Sequence, residues 1–373
     1  MKVKSKSTNK KDNVNKDIKI PKTKRQKLKL KHQKLMIIIA ILLLVLLGII
    51  LLVPKGDKKE NSKANNKEEV KNEIKEEKLS VYDTKSKSRV YAVMIPNDGE
   101  AKKRQYGIQD AYLTYEITVE GGITRLMALY KDVNVDKIGP VRSSRHYYLD
   151  YALESDAIYV HFGWSPQAES DISSLGVNNL NGIYNPSNMF TRDSNYNSPN
   201  NAFTSTDKIK KAAEDKGYSL SSEDYEVLKY TKKIDFKDDD TVKDANNVKV
   251  NYAGGAYVEY IYDKENDNYL RYNNKNKHID NLTDKQVTTT NIIVLPIDTV
   301  SISGDDKGRQ NLDNVGSGKG LYITGGKAIE ITWSKKSRTS KTIYKNSKGE
   351  ELKIKDGNTF IQIQPTSKDT VIE

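Results

Sequence analysis

The sequence predicts an α+β protein: a mixed α/β region over residues 89–220, a β-rich region over 221–373, and a single transmembrane helix ahead of both. Three observations lead there. An apolar run follows a strongly basic start, strand-like and helix-like stretches alternate up to about Ser221, and short β-rich pieces divided by turn residues replace the helical patterns beyond it.

Residues 1–34 carry fourteen Lys/Arg against two Asp, a balance of +12, equal to the formal charge of the whole chain, so everything after Lys34 sums to zero. Met36 to Val53 is a run of eighteen residues without a polar side chain. At 1.5 Å rise per residue it spans roughly 27 Å, close to the hydrocarbon thickness of a bilayer. The expectation is a transmembrane helix over 35–53 with a cytoplasmic basic tail over 1–34, because basic flanks stay inside. A cleaved signal peptide fits less well: the run exceeds the usual ~7–15 apolar residues, and Val53-Pro54-Lys55-Gly56-Asp57 offers no small-x-small cleavage site. All later residues are then extracytoplasmic, and anionic lipid headgroups are the simplest partner of the tail. Nucleic acid is not expected, since the basic excess is confined to that tail.

Residues 54–88 are charged, Asn-rich and poor in large apolar side chains, which predicts a disordered tether with an r.m.s. span of about 30–35 Å. Order is expected from Arg89-Val90-Tyr91-Ala92-Val93-Met94-Ile95, a strand closed by Pro96-Asn97-Asp98-Gly99. Leu113–Val119 and Ile123–Tyr130 read as a hairpin across Glu120-Gly121-Gly122, because paired glycines accept positive φ. A helix is expected over Ser144–Glu154, capped by Ser143 or Ser144, then a strand Ala157–His161. Ser165-Pro166 has the cap-then-proline order of a helix start, and another helix begins at Thr204–Thr206 and ends at Gly217. Beyond Ser221 the expected strands are Val248–Tyr252, Ala256–Tyr262, Tyr269–Tyr272, Asn291–Leu295, Leu321–Thr324, Ile329–Trp333 and Thr359–Ile363.

There is no cysteine, so disulfides, lipid-modified cysteine and thiolate metal sites are excluded. With four histidines, one of them His32 in the tail, no metal is expected, and no motif calls for a cofactor. Heavy use of Lys, Asn and Ile in an exported, cysteine-free chain suggests a low-GC Gram-positive source.

VEGGITRLMALY (119–130) and IGPVRSSRHYYLDYALESDAIYVHFGWSP (138–166) resemble the N-terminal domain of the YerB-like lipoprotein family. Tyr262-Asp263, Tyr269-Leu270-Arg271-Tyr272, Asn291-Ile292-Ile293-Val294, Val315-Gly316-Ser317-Gly318 and Gly326-Lys327 through Thr332-Trp333 are similar, in that order, to its C-terminal domain. The resemblance covers about Arg89 to Gln364 and implies a two-domain extracytoplasmic envelope protein without assigning a reaction. Members of that family are commonly anchored by a lipidated cysteine, which this chain lacks. Where relatives carry Pro-His-Asn, this chain reads Pro199-Asn200-Asn201, and Asn200 cannot serve as a base.

Three groups of residues are candidates for chemistry. Glu116 and Glu120, four apart near the hairpin, would share one face of a regular strand and could supply a general acid for glycosidic cleavage, with Arg125 across the hairpin; a cross-strand ion pair is the structural alternative. Arg142, Ser143 and Arg145 at a helix start form an anion site, or else a cap with arginines paired to Glu116, Glu120 or Asp150. His161, at a strand end before Phe162-Gly163-Trp164-Ser165, is a further ligand-binding candidate. Ser205-Thr206-Asp207-Lys208 reads as a helix start, and Gly316–Gly320 as a turn before a strand.

The leading expectation is a membrane-anchored envelope protein that binds wall polymer or a wall-synthesis partner through the Arg142/Arg145 cluster and the Glu116/Glu120/Arg125 hairpin. The alternative is a lytic transglycosylase or hydrolase acting on peptidoglycan glycan strands, with Glu120 or Glu116 as acid.

Overall fold

The computed structural model describes residues 78–223 and 226–373. The basic tail, the apolar run 36–53 and the linker as far as residue 77 lie outside the described residues. Among the described residues no helix is long and apolar enough to cross a membrane.

The mixed region opens with β1 (Tyr91–Asn97), the hairpin β2 (Leu113–Thr118) and β3 (Thr124–Tyr130), helix α1 (His146–Glu154), β4 (Ile158–His161), helix α2 (Pro166–Ser174), β5 (Asn179–Asn181) and helix α3 (Thr206–Asp215). The β-rich region contributes β6 (Asn247–Asn251), β7 (Tyr257–Asp263), β8 (Asn268–Asn273), β9 (Asn291–Ile297), β10 (Gly316–Thr324), β11 (Lys327–Lys335), β12 (Ile343–Lys345), β13 (Thr359–Pro365) and β14 (Thr370–Ile372). The contrast between the two regions is therefore as the sequence suggests.

The expected boundary near residue 220 nevertheless marks a change of composition and not an end of packing. One sheet crosses it, in the order β12-β11-β10-β9-β13-β2-β3-β1-β4-β5, with β13 inserted in parallel between β2 and β9. Both stretches belong to one compact unit. The physical reason is that β2 and β13 are each buried along their whole length, so neither offers an edge at which a domain could stop.

Side chains from the two faces of this sheet fill separate cores. One face packs Tyr115, Ile117, Met127 and Leu129 beneath Tyr147, Tyr148 and Tyr151 of α1 and Ile172 of α2. The other packs Leu126, Ala128, Ile292 and Phe360 against a second sheet, β8-β7-β6-β14, through Val250, Val258, Tyr260 and Tyr269, and against Ile209 and Ala212 of α3. With α1 and α2 on one side and the second sheet and α3 on the other, the central strands are buried on both faces.

Local expectations fare unevenly. Ser165 and Ser205 cap α2 and α3 as their sequences suggest, accepting from the N–H groups of Ala168 and Lys208. Helix α1 starts at His146, later than expected, with Arg145 at the cap position and no side-chain cap bond. Ser143 and Ser144 are engaged elsewhere, as described below. The end of the expected tether packs on the folded region: Asp356 accepts from the Ser80 and Val81 N–H groups, and Tyr82 packs edge-on against Tyr112 and Tyr230. Gly316–Gly320 is strand and not turn, because Gly318 faces Trp333 across β10 and β11, where a Cβ would lie 2.7 Å from the indole nitrogen.

Candidate anion site at the sheet end

Strands β1, β4 and β5 run parallel, and their C-terminal ends at Asn97, His161 and Asn181 open on one end of the sheet, the usual place for ligand loops in such arrangements. The chain from Val141 to Ser144 threads between the ends of β1 and β4. The Arg142 N–H donates to Met94 O, Phe162 N–H to Arg142 O, and Ser144 N–H to Gly163 O, each at 2.9 Å. Gly163 has φ +80°, and a Cβ there would come within 3.2 Å of Ser143 Oγ, so this close passage needs glycine. Because β3 is antiparallel to β1, with Arg125 opposite Pro96, the β2–β3 turn at Glu120–Gly122 arrives at the same end.

Five of the seven candidates gather there around an uneven charge balance. Arg145 is ion-paired through Nε with Glu120 Oε1 and donates from Nη1 to Ser144 O at 2.7 Å. Arg125 is 4% exposed and donates from Nη1 to Ser143 O, but its Nε–H has no partner among the described residues; neither has the Nε–H of Arg142. Burial pushes the Arg125 pKa down, and the charges of Arg145 and Arg142 add to the effect. Burial likewise lowers Arg142, opposed by Asp98 and reinforced by Arg145. Burial raises Glu120, yet the hydrogen bond and charge of Arg145 outweigh it and hold the carboxyl below its ordinary range. Three guanidinium groups thus share the carboxylates of Glu120 and Asp98, a surplus of positive charge beside the α1 N-terminus, whose dipole has the same sign. Ser143 sits among them with its hydroxyl donating to Phe162 O at 3.0 Å.

Glu116 is not part of this group. The register sets Glu116 opposite Leu126 and Ile117 opposite Arg125, so Glu116 and Arg125 lie on opposite faces of the sheet. Strand β2 ends at Thr118 and turns, which breaks the even spacing that would have put Glu116 and Glu120 together. Glu116, 1% exposed, instead receives Arg271 Nη2 at 2.6 Å, Asn97 Nδ2 at 2.9 Å and Thr124 Oγ1 at 2.7 Å between the two sheets. Arg271 in turn donates to His278 Nδ1, and His278 Nε2–H to Gln105 Oε1. Sequence reasoning missed this network because Arg271 lies 155 positions from Glu116.

His161 is fully buried, so it does not reach a ligand. Its Nδ1–H donates to Gly163 O at 2.8 Å, its ring stacks on Tyr159 at 5.1 Å, and burial pushes its pKa down to about 4. It fixes the turn that carries Trp164. A cleft of about 580 Å³, lined by Lys233, Phe236, Asp239, Ile329, Lys348 and Glu350, lies apart from all these residues and mixes both charge signs.

Comparison with known proteins agrees with this architecture. Residues 78–219 match the N-terminal domain, and residues 248–361 the C-terminal domain, of the family described as Protein of unknown function (DUF3048). The chain is 34% identical over 280 residues to the protein named "Putative lipoprotein YerB" of Bacillus subtilis (strain 168), covering 74% of this chain and 81% of that one. A crystal structure of YerB from Bacillus subtilis superposes with a TM-score of 0.65 at 31% identity, covering 76% of this chain and 94% of that one. In sequence and in fold alike, this chain belongs to the YerB family of DUF3048 proteins.

Proposed function

We propose that the protein is a membrane-anchored, extracytoplasmic envelope protein that holds an anionic group of wall polymer, or of a wall-synthesis partner, at the Arg125/Arg142/Arg145 cluster. The observation that carries this reading is the surplus of guanidinium charge, on buried Arg125 and half-buried Arg142 and Arg145, with two Nε–H groups left without acceptors among the described residues. A carboxylate or phosphate is the group that satisfies such donors, by parallel hydrogen bonds and charge together. The anchor is the apolar run 36–53, oriented by the basic tail against anionic lipid, and the lipoprotein name of the Bacillus relative supports the same side of the membrane.

The glycan-cleaving alternative has less behind it. A general acid must hold its proton near neutral pH, which requires a raised carboxyl pKa. Glu120 is held low by Arg145, and Glu116 is enclosed by Arg271, Asn97 and Thr124 away from solvent.

The test is to incubate the detergent-solubilised full chain with purified sacculi. Retention by the wild type and loss of retention in Arg142→Ala is the expected result. Release of muropeptides that disappears in Glu120→Gln would overturn the binding reading in favour of the enzyme.

A further inference from the structure

Beside the arginine cluster lies a second feature that its charge does not explain. Tyr184, 70% exposed, and Ile183, 57% exposed, are the two most exposed large apolar side chains among the described residues, and they are neighbours in the loop after β5. The Tyr184 ring stands 5.8 Å from that of half-buried Trp164, at 47°, and Trp164 in turn lies 5.9 Å from His161. The placement is built and not incidental. Asn181 Oδ1 accepts from both the Gly163 and the Ile183 N–H groups at 3.0 Å, which ties the loop carrying Trp164 to the loop carrying Tyr184. Trp164 is bridged by backbone to Ser144, one residue from Arg145 and two from Arg142.

From this juxtaposition we infer that the ligand is a saccharide bearing an acid group: the Trp164/Tyr184 platform takes the sugar ring and the arginine cluster takes its carboxylate or phosphate. This rests on the anion-binding reading above and makes it specific. Aromatic faces bury the C–H side of a sugar while the indole N–H and phenol O–H meet its hydroxyls. Half-buried Arg142, whose Nε–H has no partner among the described residues, supplies the acceptor-seeking charge alongside, and the charge of buried Arg125 adds to it. A bare anion would leave the exposed rings without a role, and a neutral sugar would leave the guanidinium surplus uncompensated. The open character of the platform suits a unit within a polymer better than an enclosed small molecule.

The chain has two tryptophans, and Trp333 is buried in the β10–β11 contact, so emission change on ligand addition reports Trp164. The experiment titrates the full chain in detergent with N-acetylmuramic acid, N-acetylglucosamine 6-phosphate, neutral N-acetylglucosamine, lactate and inorganic phosphate. Expected is affinity at least about tenfold higher for a sugar acid than for the neutral sugar or the free acids, equivalent to about 1.4 kcal/mol. Preference between the first two probes separates a carboxylate source from a phosphate source. Tyr184→Ala, at an exposed position that leaves the fold intact, should bring the sugar acid down to the affinity of the free acid without changing the latter. Arg142→Ala should weaken both, and Trp164→Phe should abolish the emission change. If the free acids bind as tightly as the sugar acids, or Tyr184→Ala changes nothing while Arg142→Ala still weakens binding, the saccharide inference is overturned and the anion site stands. If no probe binds, or Arg142→Ala leaves all binding unchanged, both fall.

Discussion

Glu116 and Glu120 are four residues apart and each meets an arginine, yet one pair is scaffold and the other is the edge of a site. Between the sheets, Glu116 and Arg271 are fully enclosed, with Asn97 and Thr124 donating to Glu116, and Tyr260 and His278 accepting from Arg271. At the sheet end, Glu120 and Ser144 O engage Arg145, while Arg125 and Arg142 keep Nε–H groups without acceptors among the described residues. A closed network has nothing left to offer a ligand. An open one, with more donors than acceptors, is a standing preference for an anion.

The largest expected difference between the two regions comes from deleting the carboxylate charge in the closed network. Glu116→Gln leaves Arg271 charged and enclosed without its counter-ion, and urea unfolding should show a loss of about 3–5 kcal/mol. A small effect there would mean that water reaches the inter-sheet space and that the contrast is false.

Acid should wear on both regions, since each rests on a buried neutral histidine, His161 at the site and His278 in the network. Burial holds His161 at about 4 in the folded state against an ordinary value of 6.5. The unfolded chain therefore takes up the proton first: the contribution is complete above pH about 6.5 and lost as pH falls towards about 4, on the order of 3 kcal/mol. Unfolding free energy measured across that window should decline, and His161→Asn should flatten part of the slope. An unchanged slope would show that His161 does not titrate with folding.

Arg142→Ala separates function from stability. Binding to sacculi should fall at least about tenfold, roughly 1.4 kcal/mol, while the unfolding free energy moves by less than about 1 kcal/mol. The reverse pattern would make Arg142 part of the scaffold.

The smallest effect belongs to Glu120→Gln. Its pair with Arg145 is partly solvated, so stability should change by under about 1 kcal/mol, and loss of the competing carboxylate should tighten anion binding. Weaker binding in this variant would show that Glu120 holds Arg145 in its working position.

Much of the molecule was legible before folding. Alternation and turn glycines placed the β2–β3 hairpin, the capping serines placed the starts of α2 and α3, and the β-rich pieces after residue 221 correspond to β6–β11 and β13. These are local signals, carried by neighbours within a few residues. The reading failed where a residue had a distant partner: Ser143 and Ser144 bond to the backbone and side chains of β4 and its following turn instead of capping α1, and Val81-Tyr82 fold back because Asp356 and Tyr230 await them.

The sequence by itself determined which residues are charged, that the basic surplus lies before one apolar run, and that Arg142, Ser143 and Arg145 stand together at the start of a helix. Only the tertiary structure decided that β13 joins the two regions into one sheet, that Glu116 faces Arg271 while Arg125 faces the arginines of the 142–145 segment, and that Tyr184 stands beside Trp164. Strand register and sheet order depend on long-range pairing, and a shift by one residue exchanges the faces of every side chain, so the membership of a site at a sheet end is not a local property of the chain.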